Sequence, residues 1–140
     1  MFLIDTNIWL EQLLEQQRYG ETKRLLQTVP SELLFISSFS LYSIGIILSS
    51  REKHELYDEF IEDLFLKGNV NILIPDTIKL KEINHLCSIT NLDFDDSFQK
   101  ILADIHSLKI VSFDQDFLKE GIQVFNPEQA VQSFLKSQLL

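Results

Sequence analysis

The clearest guide to the fold is the stretch Phe2-Leu3-Ile4-Asp5-Thr6-Asn7, which opens this 140-residue chain directly after Met1. A short, unbroken apolar run is typical of a strand that is buried on both faces of a parallel sheet. The acid that closes the run, Asp5, should then lie at the carboxyl edge of the sheet, where open α/β folds bind ligands. Thr6 and Asn7 follow at the same edge, and either can cap the helix that comes next.

Working outward, apolar runs alternate with helical patterns along the whole chain. Further strands are predicted at Leu33–Ile36, Val70–Ile74, Lys109–Ser112 and Ile122–Phe125. The stretches between them carry apolar residues at helical spacing, and Tyr19-Gly20 is predicted to end the first helix. Strands that alternate with helices indicate three α/β/α layers around a mostly parallel sheet of four to five strands. The length suits a single domain over residues 1–140.

Two further acidic segments stand at comparable places in the sequence. The segment Asp93–Asp96 opens a predicted helix, and Asp114 and Asp116 follow the strand that ends near Ser112. Carboxylates that are crowded together without a cation repel one another, whereas their oxygens are hard ligands that suit Mg²⁺ or Mn²⁺. Two strand-end acids and a helix-start acid therefore predict a divalent-metal site.

Each acidic segment also has a purely structural explanation. Asp5 can cap the next helix through its side chain. Acids in the first turn of a helix are favoured by the helix dipole, and Asp114-Gln115-Asp116 is compatible with simple turn chemistry. We favour the functional interpretation of Asp5, because it ends a fully apolar strand at the edge where ligands bind.

Taken in order, these segments resemble the PIN domain family, the fold of many metal-dependent ribonucleases and of VapC-like toxins. Phe2–Asn7 resembles the opening motif of that family, Leu92–Gln99 resembles its third acidic motif, and Ile110–Phe117 resembles its fourth. The resemblance covers essentially the whole chain and implies a PIN-like fold.

The resemblance also implies a site. Asp5, Asp96 and Asp114 would be both the catalytic and the metal-binding residues, and Mg²⁺ or Mn²⁺ would be used to cut RNA and leave a 3′ hydroxyl. Asp96 is preferred over Asp95 because the small Ser97 takes the Ala position of the family's Asp-Ala motif. The residues expected to support these acids from a second layer are Thr6, Asn7, Ser43, Asp95, Ser112 and Asp116.

The chain departs from the family at the second motif. The family places a Glu on the helix after the second strand, in a pattern like Ile-Ser-Ser-x-Thr-x-x-Glu. Here the segment reads Ile36-Ser37-Ser38-Phe39-Ser40-Leu41-Tyr42-Ser43, so Ser43 stands where the Glu is expected. A hydroxyl brings no charge and replaces a metal-binding carboxylate poorly. The inference about the fold survives this change, whereas the inference about activity is weakened.

Composition and charge limit the classes of function. With 12 basic and 21 acidic residues, the net charge is −9. This disfavours binding along the nucleic-acid backbone through Lys/Arg stripes, but it allows a nuclease whose metal supplies the local positive field, and it suits a basic protein partner. The single Cys87 excludes an internal disulfide and fits a reducing cytoplasm. No apolar run is long enough for a membrane helix, and no basic signal-peptide region precedes Asp5.

The predicted function is a divalent-metal-dependent endoribonuclease in the cytoplasm, a candidate toxin of a toxin–antitoxin pair. Expected partners are an RNA substrate and a basic antitoxin-like protein, without a membrane, and a second copy of the chain is a further candidate. Ser43 keeps open the alternative of a catalytically weak or inactive PIN-like module that binds a protein or RNA. A flavodoxin-like receiver ranks last, because it would carry paired acids just after the first strand and a Lys after the fifth.

Overall fold

The computed structural model describes all 140 residues and contains five strands and eight α-helices. The strands are β1 (Phe2–Ile4), β2 (Leu34–Ser37), β3 (Asn71–Leu73), β4 (Lys109–Val111) and β5 (Val124–Phe125). The helices are α1 (Thr6–Leu13), α2 (Tyr19–Thr28), α3 (Ser38–Ser50), α4 (His54–Ile61), α5 (Thr77–Ile89), α6 (Phe94–His106), α7 (Asp116–Lys119) and α8 (Pro127–Ser137). A 3₁₀ turn at Ser31–Leu33 precedes β2, and α4 continues as a π-helical turn over Glu62–Leu66.

The five strands form one fully parallel sheet in the order β3-β2-β1-β4-β5. The apolar β1 lies at the centre, where Phe2 is opposite both Leu34 and Lys109 and Ile4 is opposite Val111. All three β1 residues are buried, as a strand covered on both faces requires. The predicted α/β/α fold with a parallel sheet is therefore confirmed.

The apolar core lies on both faces of the sheet. Because successive side chains of a strand point to opposite faces, Ile4 belongs to one buried cluster and Leu3 to the other. The larger cluster joins β1 to α1, α3 and α8, and Trp9 packs edge-on against Phe60 within it. The smaller cluster packs α5 and α6 against the opposite face, with Ile83 and other apolar side chains between them.

Several element boundaries differ from those predicted. Tyr19-Gly20 does not end α1, which stops at Leu13; both residues belong to the first turn of α2. A glycine in a helix keeps its backbone N–H, and its cost of roughly 1 kcal/mol relative to Ala is entropic, so a single glycine weakens a helix without ending it. Glu52 has a left-handed backbone (φ 57°) and separates α3 from α4. None of the helices is both long enough and apolar enough to cross a membrane.

The sheet order brings the ends of β1 and β4 side by side. The Asp5 N–H donates to the Val111 carbonyl oxygen at 2.9 Å, which extends the pairing of the two strands to the acid itself. Asp5 follows β1 and Ser112 follows β4, so both lie at the carboxyl edge of the central strands. A hydrogen bond from Gln99 of α6 to Asp5 brings the N-terminal half of that helix to the same edge.

Candidate metal centre

Three carboxylates from two segments meet at this edge. Side-chain oxygens of Asp96, Asp114 and Asp116 all lie within 4.8 Å of one another. Asp96 belongs to the first turn of α6, Asp114 to the loop after β4, and Asp116 is the first residue of α7. Asp96 is buried, Asp114 is half-buried and Asp116 is exposed, so the group runs from the interior to solvent. Oxygens at this spacing are close enough to share one cation.

Asp5 lies beside this group and is joined to it through Ser112. The Ser112 hydroxyl donates to Asp5 Oδ2 at 2.7 Å and accepts from the Asp114 N–H at 3.0 Å. Asp5 Oδ1 also accepts from the Thr6 N–H at 2.8 Å, so the same carboxylate caps α1. The capping residue is thus Asp5 itself, not Thr6 or Asn7, and the structural and functional explanations of this acid are compatible.

Asn7 and Thr6 connect the first motif to the rest of the edge. The Asn7 amide donates to Ser112 Oγ at 3.0 Å, and its carbonyl oxygen accepts from the Phe113 N–H at 3.1 Å. This holds the loop after β4 against the end of β1. The Thr6 hydroxyl donates to Ser40 Oγ at 2.8 Å and links the motif to α3.

A second acidic group lies at the start of α6. Asp93, Asp95 and Asp96 offer oxygens within 4.8 Å of one another. Asp93 is the N-cap, and its side chain accepts from the Asp96 N–H at 3.1 Å. Asp96 is the member that both groups share, whereas Asp95 belongs only to this one. The geometry therefore favours Asp96 over Asp95 as the acid that faces the strand ends.

Burial, nearby charges and hydrogen bonds shift the pKa values of the three acids at the start of α6. Burial, together with the charges of Asp114 and Asp93, raises the pKa of Asp96 to about 8. Burial and a hydrogen bond to Asp93 raise the pKa of Asp95 to about 7, and the same hydrogen bond lowers the pKa of Asp93. Carboxylates that resist ionisation at neutral pH indicate a site with too little positive charge of its own.

Burial and hydrogen bonding act in opposite directions on the pKa of Asp5. Asp5 is 7% exposed, and burial raises its pKa above the usual range, with a smaller contribution from the charge of Asp114. Hydrogen bonds from Ser112, Gln99 and Thr6 act in the opposite direction, because they favour the ionised form. The carboxylate is thus surrounded by neutral donors.

Ser43, which is predicted to stand at the family's Glu position, contributes little to this network. It is half-buried on α3, and none of the hydrogen bonds around Asp5 involves it. The serine three residues earlier behaves differently: Ser40 is buried, and its hydroxyl accepts from Thr6 and from Gln99. Ser37 caps α3 by accepting from the Ser40 N–H.

Gln99 contacts Asp5, although nothing in the sequence alone predicts this contact. Its Nε2 donates to Asp5 Oδ1 at 2.9 Å and to Ser40 Oγ at 2.8 Å, and the residue is 1% exposed. The only signal in the sequence is an amide at a helical position between the apolar residues Phe98 and Leu102. Such a signal indicates a buried polar group but does not identify its partner.

An arginine side chain packs against the loop that follows β4. The Arg18 guanidinium lies 3.9 Å from the centre of the Phe113 ring, and Phe113 separates Ser112 from Asp114 in the chain. Arg18 is held in place by two hydrogen bonds to Glu21, at 3.0 and 2.8 Å. The acids of the site differ in exposure: Asp116 is exposed and Asp114 is half-buried, whereas Asp5 and Asp96 are buried, so solvent reaches the group from the side of Asp116.

Comparison with known families decides the classification. The profile described as PIN domain matches residues 2–121. The chain belongs to the PIN domain family. The predicted resemblance is thereby confirmed, and a comparison with curated protein sequences gives no match.

Solved structures share the fold of this PIN domain. Mycobacterium tuberculosis VapC20, described as a sarcin-ricin loop cleaving toxin, has a TM-score of 0.78 and 18% identity over 91% of this chain and 100% of its own. FitAcB from Neisseria gonorrhoeae has a TM-score of 0.74 and 20% identity over 91% and 99% of the two chains. A toxin–antitoxin complex from Klebsiella pneumoniae reaches 0.66 with 20% identity over 84% and 90%. Identities this low demonstrate a shared fold alone.

The residues of this PIN domain fit a hard divalent cation. The group around Asp96 offers only carboxylate oxygens, which are the ligands that Mg²⁺ and Mn²⁺ prefer. Ser97 Oγ and Gln99 Oε1 lie on the same helix and are buried without a hydrogen-bond partner in the protein. Buried polar atoms normally find partners, and the water shell of a nearby cation can provide them.

The raised pKa values predict that the metal-free protein loses stability as the pH rises. Unfolded Asp titrates near about 3.9, whereas Asp95 and Asp96 titrate at about 7 and about 8 in the fold. The folded state therefore keeps protons that the unfolded state releases, so this contribution is complete below about pH 4 and is lost as the pH rises towards about 8. In EDTA, the urea midpoint should be lower at about pH 8 than at about pH 5.5. Asp96→Asn stays neutral and should flatten this slope, and a wild-type midpoint that rises with pH would contradict the assignment.

Proposed function

We propose that this PIN domain is a divalent-metal-dependent endoribonuclease and the toxin of a toxin–antitoxin pair. The observation that carries the proposal is the group of Asp96, Asp114 and Asp116, whose oxygens lie within 4.8 Å of one another at the ends of the central strands. Membership of the PIN domain family supports it. Similarity in fold to a toxin described as cleaving the sarcin-ricin loop adds further support.

In this proposal four acids hold Mg²⁺ or Mn²⁺, directly or through water molecules: Asp5, Asp96, Asp114 and Asp116. When bound, the ion lowers the pKa of a water molecule and stabilises the negative charge that develops on a phosphodiester. The chain's own part is orientation: the Ser112 hydroxyl contacts both Asp5 and the Asp114 backbone and keeps the acids in one place. Asp116, expected from the sequence only in a supporting role, becomes a candidate ligand.

The exposed side of the acidic group can accept a polymeric substrate. Because Asp116 is exposed and Asp114 is half-buried, an RNA strand can approach the group from that side without threading into the protein. The direct test is incubation of mixed cellular RNAs with the purified protein and MnCl₂, with EDTA as the control. Cleavage that EDTA stops supports the proposal, and intact RNA at every Mn²⁺ concentration overturns it.

A second candidate function follows from Ser43. Because no charge stands at that position, the site is one carboxylate short of the family pattern, and the domain would then be an inactive module that binds a protein or RNA. A wild-type protein that cleaves no RNA with Mn²⁺, but binds a co-purifying partner tightly, would establish this alternative. We favour the nuclease because three acids are grouped even without a Glu at position 43.

The partner we propose is a basic, antitoxin-like protein segment. A groove of about 380 Å³ lies between α1, α2 and α4, with a largely apolar lining and acidic side chains among its residues. The apolar side chains include Trp9, Leu26 and Phe60, and the acids are Glu15, Glu59 and Asp63. An apolar segment flanked by Lys or Arg would complement both properties. Solved structures of similar fold are described as toxin–antitoxin or FitAB complexes.

The genomic neighbourhood offers a test of this partner. A neighbouring gene for a small protein with a DNA-binding N-terminus and a basic, apolar tail is expected. Co-expressed with the wild-type domain, that protein should co-purify, whereas it should dissociate at lower salt from a Glu59→Lys variant, because the groove loses charge complementarity. If the wild-type domain and the Glu59→Lys variant held the partner protein up to the same salt concentration, the contact would lie elsewhere on the surface.

Arg18→Gln should raise the KM for RNA about tenfold while changing kcat little, because one charge-assisted contact to a phosphate is worth about 1.5 kcal/mol. Arg18 is positioned for this contact by its stacking on Phe113 beside Asp114. The matched control is Arg24→Gln, since Arg24 is also exposed and ion-paired, to Glu128 at 2.8 Å, but does not contact the loop after β4. An equal KM for the two variants would contradict a role of Arg18 in binding RNA.

A further inference from the structure

Gln99 joins the strand-end acid to α3 through a single amide. It is almost fully buried and lies on α6, one turn after Asp96. Its Nε2 donates to Asp5 Oδ1 at 2.9 Å and to Ser40 Oγ at 2.8 Å. One neutral side chain therefore connects the end of β1, the start of α6 and the first turns of α3.

The direction of this amide follows from the chemistry of its partners. Asp5 Oδ1 already accepts from the Thr6 N–H, and an accepting oxygen pairs with a donor, so the nitrogen of Gln99, and not its oxygen, faces Asp5. Both N–H bonds are then used, and Gln99 Oε1 is left buried without a partner in the protein. An unpaired buried carbonyl oxygen costs free energy, so an apolar side chain would be the cheaper way to fill this space. The amide is therefore present for its contacts and not for packing alone.

The same contacts explain how the site is held together around Ser43. Residues three apart on a helix share a face, so position 43 lies on the side of α3 from which Ser40 contacts the site. A carboxylate at position 43 would belong to that side, but Ser43 makes no contact with Asp5. The side chain that joins α3 directly to the Asp5 carboxylate is instead Gln99, which contacts both Ser40 and Asp5, beside the contact of the Thr6 hydroxyl with Ser40.

We propose that Gln99 is a positioning residue of the metal centre. Gln99 fixes the Asp5 carboxylate, and its neutral amide links the acids to α3. Ser43 does not provide such a link. This inference rests on the proposed function, because it assigns Gln99 a task in cation binding. Side chains that hold a ligand by hydrogen bonds reduce the freedom it must lose when the cation binds, and their loss typically costs about 10- to 100-fold in metal affinity.

The test uses Gln99→Met, which keeps a side chain of similar length and volume but has no N–H donors. Titration with MnCl₂, followed by the electron paramagnetic resonance signal of free Mn²⁺, should give a Kd about tenfold higher than that of the wild type. Ile83→Val is the control for general destabilisation, since Ile83 is fully buried on α5 and makes no contact with the acids. Its Kd for Mn²⁺ should equal that of the wild type.

A double-mutant comparison shows whether Gln99 acts through Asp5. In an Asp5→Asn background, Gln99→Met should change the Kd by less than about twofold, because the partner of the amide is already neutral. An equal loss in both backgrounds overturns the inference. An unchanged Kd for Gln99→Met, with normal binding by the wild type, overturns this inference alone. A wild-type protein that binds no Mn²⁺ overturns the proposed function as well, so the wild-type titration separates the two failures.

Discussion

Asp96→Asn should abolish both RNA cleavage and the stabilisation of the fold by Mn²⁺. Asp96 is the acid shared by the two carboxylate groups, and a neutral amide cannot replace a charged ligand of a hard cation. A metal contribution of several kcal/mol to the reaction corresponds to a loss of at least about 100-fold in kcat/KM. At Mn²⁺ concentrations of about 100 times its Kd, the wild-type fold should gain about 2.7 kcal/mol, or roughly 8 °C in Tm.

The matched control for this variant is Asp104→Asn. Asp104 is exposed on the same helix, where it pairs with Lys100, so the substitution removes the same charge away from the site. This variant should keep both cleavage and the Mn²⁺-dependent rise in Tm. If Asp96→Asn kept that rise, the carboxylates at the strand ends would not be the cation site.

Ser43→Glu should strengthen Mn²⁺ binding by at least about tenfold and raise the rate of RNA cleavage. The substitution places a carboxylate where the second motif of the family has its Glu, on the side of α3 that faces the site. Each added carboxylate ligand increases the affinity of a site for a hard cation. For the wild type, with one negative charge fewer, we expect weaker binding, and Mn²⁺ should support cleavage better than Mg²⁺.

Ser49→Glu adds the same charge at an exposed position of the same helix and should change neither property. The comparison also separates the two candidate functions. In a nuclease with a reduced site, Ser43→Glu increases an activity that is already measurable, and the increase disappears when Asp96→Asn is added. In a binding module, Ser43→Glu restores metal binding while the wild type shows no cleavage under any condition.

The parts of this fold that sequence predicts well are those fixed by local signals. An unbroken apolar run places Asp5 at the end of a central strand, and the alternation of strands with helices predicts the parallel sheet. Asp114 follows from the same argument applied to β4. The positions of these two residues can be predicted without knowing which strands are neighbours, because the carboxyl ends of all parallel strands lie at one edge of the sheet.

The remaining contacts depend on packing between distant segments. Gln99 and Asp5 are 94 residues apart in the chain, and their contact exists only because α6 packs beside the end of β1. The grouping of Asp116 with Asp96 depends likewise on how the loop after β4 turns towards α6. Local propensity also misplaced the end of α1, because Tyr19-Gly20 resembles a helix stop. Gly20 instead lies in the first turn of α2, and its entropic cost of roughly 1 kcal/mol is too small to end a helix by itself.

The pairing of β1 with β4 has a consequence for the synthesis of the protein on the ribosome. Asp5 is among the first residues to be translated, but Ser112, which holds it, is made 107 residues later. Domains fold as their segments emerge, and contacts between distant segments form last. The nascent chain therefore carries no assembled acidic group while most of its length is being made. Under the proposed function, the domain would gain the ability to cut RNA only after the fourth strand has emerged from the ribosome.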